Sequence, residues 1–495
     1  MNSKTEKWPW VMIVILIGSV FLEGSGYSFQ LFGMRVRSVQ VFEVLFLGLL
    51  GVLTLLGKWR WQKSPLDFWL LAYLSINFIA IFNSSWKARS MKIFLLLVTL
   101  ALLYWLVYQL LRTVKDIFLA FYVFLAMGTL QVLFGLYQVL AGALNYYRGW
   151  HLPIGHLGMV QKEYIGSVWG RPYGTMVEPD FYGDLCMVFA LIFFSLYFSM
   201  SGKARKWLLA GAVISLIGLY LSFVRTAWLV FLLIFLLQFI FKKKWPFLKA
   251  NWKLSAVVIG AFFGFHLLAV QSIAPLKAIH EFRFAAKVAP AQKKPGFRST
   301  AKVAPAQKKP GFRSTAKVAP AQKKPGFRST AKVAPAQKKA VPEQSSLFNS
   351  QNVRFVLIKT SWQAFLQNPV LGNGPGSFAY TYWRSNLGDA WARQKIAEKA
   401  FPQTNPSMLF TVLEDTGIIG IVLFAAIAGL FLILNFKGIA RSGVPPAPQA
   451  LALFVGLLAL LMSYVMTSGF WLPLTWVFLG LNIASLKRFP EVSDG

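Results

Sequence analysis

The chain has 495 residues, of which 56% are hydrophobic, 16% aromatic and only 14% charged. A soluble protein needs more polar surface than that, so lipid must cover much of the chain and a soluble enzyme is excluded. The formal charge of +34 does not point to nucleic acid, because about 15 of the positive charges sit in one repeat array and most of the rest flank hydrophobic runs. That is the charge pattern of a membrane protein.

The 18 Trp, 16 Tyr and 45 Phe fit aromatic belts at the two membrane interfaces. Cys186 is the only cysteine, which rules out an intrachain disulfide and a cysteine-rich metal site. His151, His156, His266 and His280 show no metal-ligand spacing, and neither cofactor nor metal is expected.

A helix needs about 20 residues to cross the hydrocarbon core. Suitable runs occur near 8–24, 39–57, 67–83, 91–111, 116–142, 181–200, 207–223, 226–241, 254–273, 407–435, 449–467 and 470–486. The first has no small-residue cleavage site and reads as a spanning helix, not a cleaved signal. The expected fold is an all-α polytopic membrane protein of about twelve transmembrane helices. Helices 1–5 occupy 1–142, and a central region covers 143–273 with an outer loop at 143–180. A large extracytoplasmic loop, 274–406, separates helices 9 and 10, and helices 10–12 fill 407–495.

Orientation follows from Lys and Arg in the short loops. One set holds Lys58, Arg60, Lys63, Lys203, Arg205, Lys206, the run Lys242–Lys244, Lys249, Lys253, Lys437, Arg441, Lys487 and Arg488. The opposite set is thinner, chiefly Arg35, Arg37, Lys87, Arg89, Arg148, Lys162, Arg171 and Arg225. The positive-inside rule puts the first set and both termini in the cytoplasm, and both long loops outside.

Within the larger loop, a 15-residue unit, AKVAPAQKKPGFRST, appears three times from Ala286 and ends in a partial copy at Lys339. Each full unit has four positive charges, two prolines and one large apolar residue, so it can build no core and reads as disordered. Two readings are open: a tolerated spacer, or a cationic tether for an anionic polysaccharide or lipid headgroup. After it, Val353, Val356, Leu357, Thr360 and Phe365 keep helical spacing from Asn352 to Gln367, and Asn368-Pro369 stops that helix. PVLGNGPGSF then supplies Gly372, Gly374 and Gly376, and a second, charged helix is expected near 384–400.

Three segments place polar residues where the hydrophobic pattern should exclude them: RPYGTMVEPDFYGD (171–184), LSFVRTAW (221–228), and the 353–420 region with PQTNPSMLFTVLEDTGIIG at its end. An ionisable residue at such a position is a functional candidate, because burying an unpaired charge in a membrane is expensive. For Arg225 the alternative is an arginine that reaches up to the headgroups. For the three glycines the alternatives are a turn set by backbone geometry and a phosphate-binding nest. Asn405-Pro406 has the form of a helix cap and first turn.

In order and spacing these segments resemble the O-antigen ligase and O-antigen polymerase superfamily of bacterial envelope glycan assembly. The family's "R-x-x-G-T-x-x-x-P-N" is matched by Arg171, Gly174, Thr175 and Pro179, with Asp180 in place of Asn. Its "S-R" junction is similar to Phe223-Val224-Arg225. Its "R…P-hydrophobic-G-x-G-x-G-x-F" is matched by Arg354, Pro369, Gly372, Gly374, Gly376 and Phe378. Its closing "H-N…E-x-G" looks like Thr404-Asn405…Asp415-Thr416-Gly417. The resemblance runs from about 165 to 435, with the repeats inserted in it.

The resemblance implies transfer of an undecaprenyl-pyrophosphate-linked glycan to a glycan or lipid acceptor outside the cytoplasm, in the bacterial inner membrane, for O-antigen or exopolysaccharide. Membrane lipids would be the other partners. Fixed guanidinium groups suit a departing pyrophosphate, which assigns Arg225 and Arg354 to it, with Arg171 as a third. Such a clamp would make the reaction metal-independent. Asp415 joins the catalytic candidates, and Glu178, Asp180, Thr404, Asn405 and Gly374 those that bind substrate. The chain departs from the ligases at Thr404, where they present a His, and threonine cannot take a proton near neutral pH. The base then comes from Glu178, Asp180 or Asp415, or the chain is polymerase-like. Glu414 and Asp415 have the alternative of pairing with arginines. The reading from a different class is a transporter or flippase of lipid-linked sugars.

Overall fold

A computed structural model describes residues 8–22, 28–31, 34–148, 172–176, 179–241, 350–378, 380–381, 407–441, 448–467 and 469–488, with single positions at 256, 260 and 264. The helices are α1 (Trp8–Phe21), α2 (Ser38–Leu55), α3 (Asp67–Ala80), α4 (Lys87–Leu110), α5 (Val114–Arg148) and α6 (Pro179–Tyr197). They continue with α7 (Lys203–Leu221), α8 (Arg225–Phe241), α9 (Ser350–Gln367), α10 (Met408–Arg441), α11 (Pro448–Tyr464) and α12 (Pro473–Arg488). Six are long and apolar enough to cross a bilayer, and shorter apolar helices add to them, as in Trp8–Phe21 and Pro448–Tyr464. The chain is an all-α membrane protein.

Eleven of the twelve expected hydrophobic runs fall on described helices. The run near 254–273 lies outside the described residues apart from three positions, and the repeat array and the helix expected near 384–400 lie outside them too. One element has no counterpart in the sequence reading. An antiparallel hairpin joins β1 (Ser28–Leu31) to β2 (Met34–Arg37), pairing Ser28 with Arg37 and Leu31 with Met34.

Helix α6 is buried along nearly all its length and forms the centre of the bundle. It can sit close to α5 because Gly128 and Gly135 face the rings of Phe189 and Tyr182, where even a methyl group would overlap. The Tyr182 hydroxyl also donates to the Val132 carbonyl at 2.8 Å. Small residues at such crossings let helices approach where lipid gives no hydrophobic drive to associate.

At one end of the bundle the α2–α3 connection packs on the end of α4. Gln109 exchanges two hydrogen bonds with the Gln62 backbone, at 2.8 and 2.6 Å, and Arg112 lies 3.3 Å from the Trp59 ring. Trp8 meets the same Trp59 ring at 5.4 Å, and the Lys487 ammonium lies 5.9 Å from the Tyr108 ring. The start of α1 and the end of α12 therefore share this end with Lys58, Arg60 and Lys63. The α3–α4 corner, the α7–α8 turn and the α11–α12 connection lie at the other end.

By the positive-inside rule the lysine-rich end should face the cytoplasm. A cysteine at exposed Ser85, in the α3–α4 corner, should then react with an impermeant thiol reagent on intact cells, and one at exposed Lys58 only after permeabilisation. Native Cys186 is buried and should stay silent. The reverse labelling would invert the orientation.

Candidate functional site

Helix α10 is broken. At Gly417 the backbone turns to φ 64° and ψ −159°, and helical geometry resumes after it. A left-handed φ suits glycine, and a Cβ here would collide with the Val370 carbonyl. Breaking a helix in a membrane strands carbonyls before the break and N–H groups after it, with no water to satisfy them.

The glycine-rich segment after α9 supplies both sets of partners. Asn373 and Gly374 donate their N–H groups to the Glu414 and Asp415 carbonyls at 2.8 and 2.9 Å. In return, Ile418 and Ile419 donate to the Pro369 and Val370 carbonyls at 2.9 and 3.4 Å. Four hydrogen bonds thus lace the loop to the broken helix.

The same break sets the side chains. Glu414 and Asp415 fall in the last turn before it, at the negative end of a helix dipole, so they need donors. Asp415 accepts from the Gly376 N–H at 3.0 Å and from the Ser377 N–H, and the positive charge of Arg89 acts on it. The Ser361 hydroxyl of α9 donates to Glu414 Oε2 at 2.5 Å, while buried Glu414 Oε1 and Ser377 Oγ have no hydrogen-bond partner among the described residues.

From the α3–α4 corner, Arg89 Nε donates to the Gly376 carbonyl at 2.8 Å, and its guanidinium carbon lies 5.2 Å from the Trp86 ring. Gly374, at φ 88°, presses on the Ser84 side chain and the Ala80 carbonyl, leaving no room for a Cβ. Of the two readings of the glycines, this geometry favours the turn. The N–H groups of Gly372, Asn373, Gly374 and Gly376 are taken by Asn368, Glu414 and Asp415.

Arg225 lies at a second corner, at the first position of α8 and exposed. The turn before it is fixed. Phe223 adopts φ 55°, the Ser222 hydroxyl donates to the Leu219 carbonyl at 2.6 Å, and Trp228 Nε1 donates to the same carbonyl at 2.9 Å. Gly183 of α6 admits Val224 and Ser222 against its backbone. Next to it, buried Asp184 accepts from the Ser463 hydroxyl of α11 at 2.6 Å. Asp180 is half-buried one turn earlier on α6.

A third cluster holds the Pro172–Met176 segment. Gln138 accepts from the Tyr173 and Gly174 N–H groups at 3.1 and 2.9 Å and donates back to the Gly174 carbonyl at 3.0 Å. Gln131 accepts from the Thr175 N–H at 3.0 Å and donates to the Phe21 carbonyl at 2.7 Å. Burial here raises the Tyr173 phenol above its usual range.

Arg171, Glu178, Thr404 and Asn405 lie outside the described residues. Arg354 is described only as backbone, on α9. Its position shares a face with Leu357 and Ser361, about 10 Å along the axis from the Ser361–Glu414 contact. The structure thus brings Asp415 and Gly374 together and puts Arg225 and Asp180 at a separate corner of the same end.

Sequence reasoning missed Arg89, Gln131 and Gln138 as members of these clusters. The two glutamines carried a signal, as amides seven residues apart on one face of an apolar helix.

The lacing depends on Gly417. Gly417→Ala should lower stability by at least about 1–2 kcal/mol, the cost of a left-handed alanine. Gly429→Ala, a helical site with open space around its Cβ, should be neutral or stabilising. Thermal unfolding of purified protein in detergent measures both, and equal midpoints would contradict the break.

No curated protein matches the chain. Residues 210–425 match the family model described as O-antigen ligase, a stretch that spans the Arg225 corner, α9, the glycine loop and the break in α10. Over that stretch, which is under half of the chain, the protein is similar to the O-antigen ligase family, and the similarity supports a membrane enzyme of ligase or polymerase type.

Proposed function

We propose that the protein transfers a glycan from undecaprenyl pyrophosphate to a glycan acceptor, as a polymerase of O-antigen or exopolysaccharide units on the outer face of the bacterial inner membrane. The observation that carries this reading is the exposed Arg225 on its fixed turn, inside the family-matched segment and at the same end of the bundle as the broken helix. The proposed topology has twelve spans, cytoplasmic termini and the 274–406 loop outside.

In the reaction an acceptor hydroxyl attacks the anomeric carbon. The bond from that carbon to the pyrophosphate oxygen breaks, and its electron pair stays on the oxygen. Arg225 and Arg354, with Arg171, stabilise that charge, the largest catalytic contribution expected here. No divalent metal is then required.

The hydroxyl's proton needs a base. Asp415 is held by two backbone N–H groups and lies in the field of the Arg89 charge, which suits positioning better than proton transfer. Asp180 and Glu178, at the start of α6, are the better candidates. Thr404 and Asn405 would contact the acceptor, and Gly374 serves by shaping the loop. A small apolar crevice lined by Leu70, Tyr73, Phe424, Phe431, Leu457 and Trp476 lies between α3, α10, α11 and α12.

Alanine at Arg225 or Arg354 should cut turnover about 100- to 1000-fold, roughly 2.7–4 kcal/mol. Lysine keeps the charge but not the bidentate fork, so it should restore only part. Thr404→Ala should do much less harm. The assay uses purified protein, lipid-pyrophosphate-linked glycan and a chelator. Near-normal turnover of both alanine variants would defeat the arginine clamp, and loss with chelator would defeat metal independence.

A further inference from the structure

We propose that Arg89 is a positioning residue of the transferase site, an inference that rests on the glycan-transfer reading. It lies in α4, far ahead of the segment that matches the family. Nothing in the motifs marks it, and in the sequence it counts only as one charge among the short-loop cations.

Its geometry is that of a fastener between two distant parts of the chain. Nε donates to the Gly376 carbonyl at 2.8 Å, across 287 positions of sequence. Its positive charge also acts on buried Asp415, whose Oδ1 accepts from the N–H of that same Gly376. One planar cation therefore grips a carbonyl and opposes the carboxylate bound to the adjacent N–H.

A guanidinium can do both at once because its donors form a rigid fork, whereas an ammonium offers one compact charge. Asp415 and its neighbour Glu414 are both buried, and an unopposed pair of carboxylates there would repel. The grip on Gly376 is backed by the rest of the corner. Asn83 Nδ2 donates to the Gly372 carbonyl at 3.4 Å, and the Ser84–Ser90 hydroxyl pair, 2.6 Å apart, lies under Gly374.

The loop so held joins two segments that carry proposed substrate contacts. Before it runs α9, with Arg354, and after it the chain leads to Thr404 and Asn405. Fixing residues 372–377 on Arg89 fixes the origin of both. The first four helices thereby complete a site whose recognisable motifs all lie later in the chain.

The test compares full-length wild type, Arg89→Lys and Arg89→Ala, the last with and without methylguanidinium, which can reach the half-exposed position. Two readouts are taken: steady-state glycan transfer, and cleavage by chymotrypsin after Phe378 or Tyr380. The loss of a hydrogen-bonded charge should lower kcat of the alanine variant about 10- to 100-fold, with the donor KM little changed. Loop cleavage should speed up. Methylguanidinium should restore part of kcat and slow the cleavage, and lysine should restore less.

Wild-type kcat in Arg89→Ala would overturn the proposal, as would a loss that neither lysine nor methylguanidinium relieves. An inactive wild type would sink the transfer reading instead, and the cleavage rates would still decide whether Arg89 holds the loop.

Discussion

The arrangement at this end of the molecule depends on one constraint: a helix interrupted inside a membrane protein must find partners for every backbone group it frees. Gly417 interrupts α10, and segment 369–374 meets the demand in both directions, giving two N–H groups and receiving two. The loop is consequently as much a part of the helix as a connection to it. Its conformation is dictated by the break, and the break is sustained by the loop. Glycine is required on both sides, at Gly417 for its left-handed φ and at Gly374 for the close approach to Ser84 and Ala80.

From that lacing the polar chemistry follows. Two carboxylates land in the final turn before the break, where the helix dipole opposes them, and their partners come from three other elements. Ser361 comes from α9, Gly376 and Ser377 from the loop, and Arg89 from α4. The Arg225 corner is built differently, on a tight turn wedged against Gly183. The proposed transferase thus combines an arginine on a short rigid turn with a loop held at several points.

Much of the frame was legible in the sequence. Long apolar runs declared the helices, and the spacing from Asn352 to Gln367 with Asn368-Pro369 after it matched α9, found at Ser350–Gln367. The resemblance to the O-antigen ligase superfamily ran from about 165 to 435, and a family model matches 210–425. The break in α10 was not legible, because LEDTGIIG opens a long apolar run and a helix can tolerate its two glycines. Its left-handed φ is stabilised by a segment far away in the chain. Arg89 was hidden for the same reason: its partners are set by tertiary contact, while its neighbours in sequence mark it only as a loop cation. The hairpin at 28–37 lacked a turn signature between two clear alternating runs.

The central claim is the hydrogen-bonded lacing, and amide hydrogen exchange tests it most directly. Peptides covering 369–376 and 414–420, followed by mass spectrometry on the intact protein in lipid nanodiscs, should exchange slowly and in step, as one cooperative unit. Rapid exchange of the glycine-rich peptide beside a protected 414–420 would contradict the account, because it would mean that the helix holds itself together without the loop.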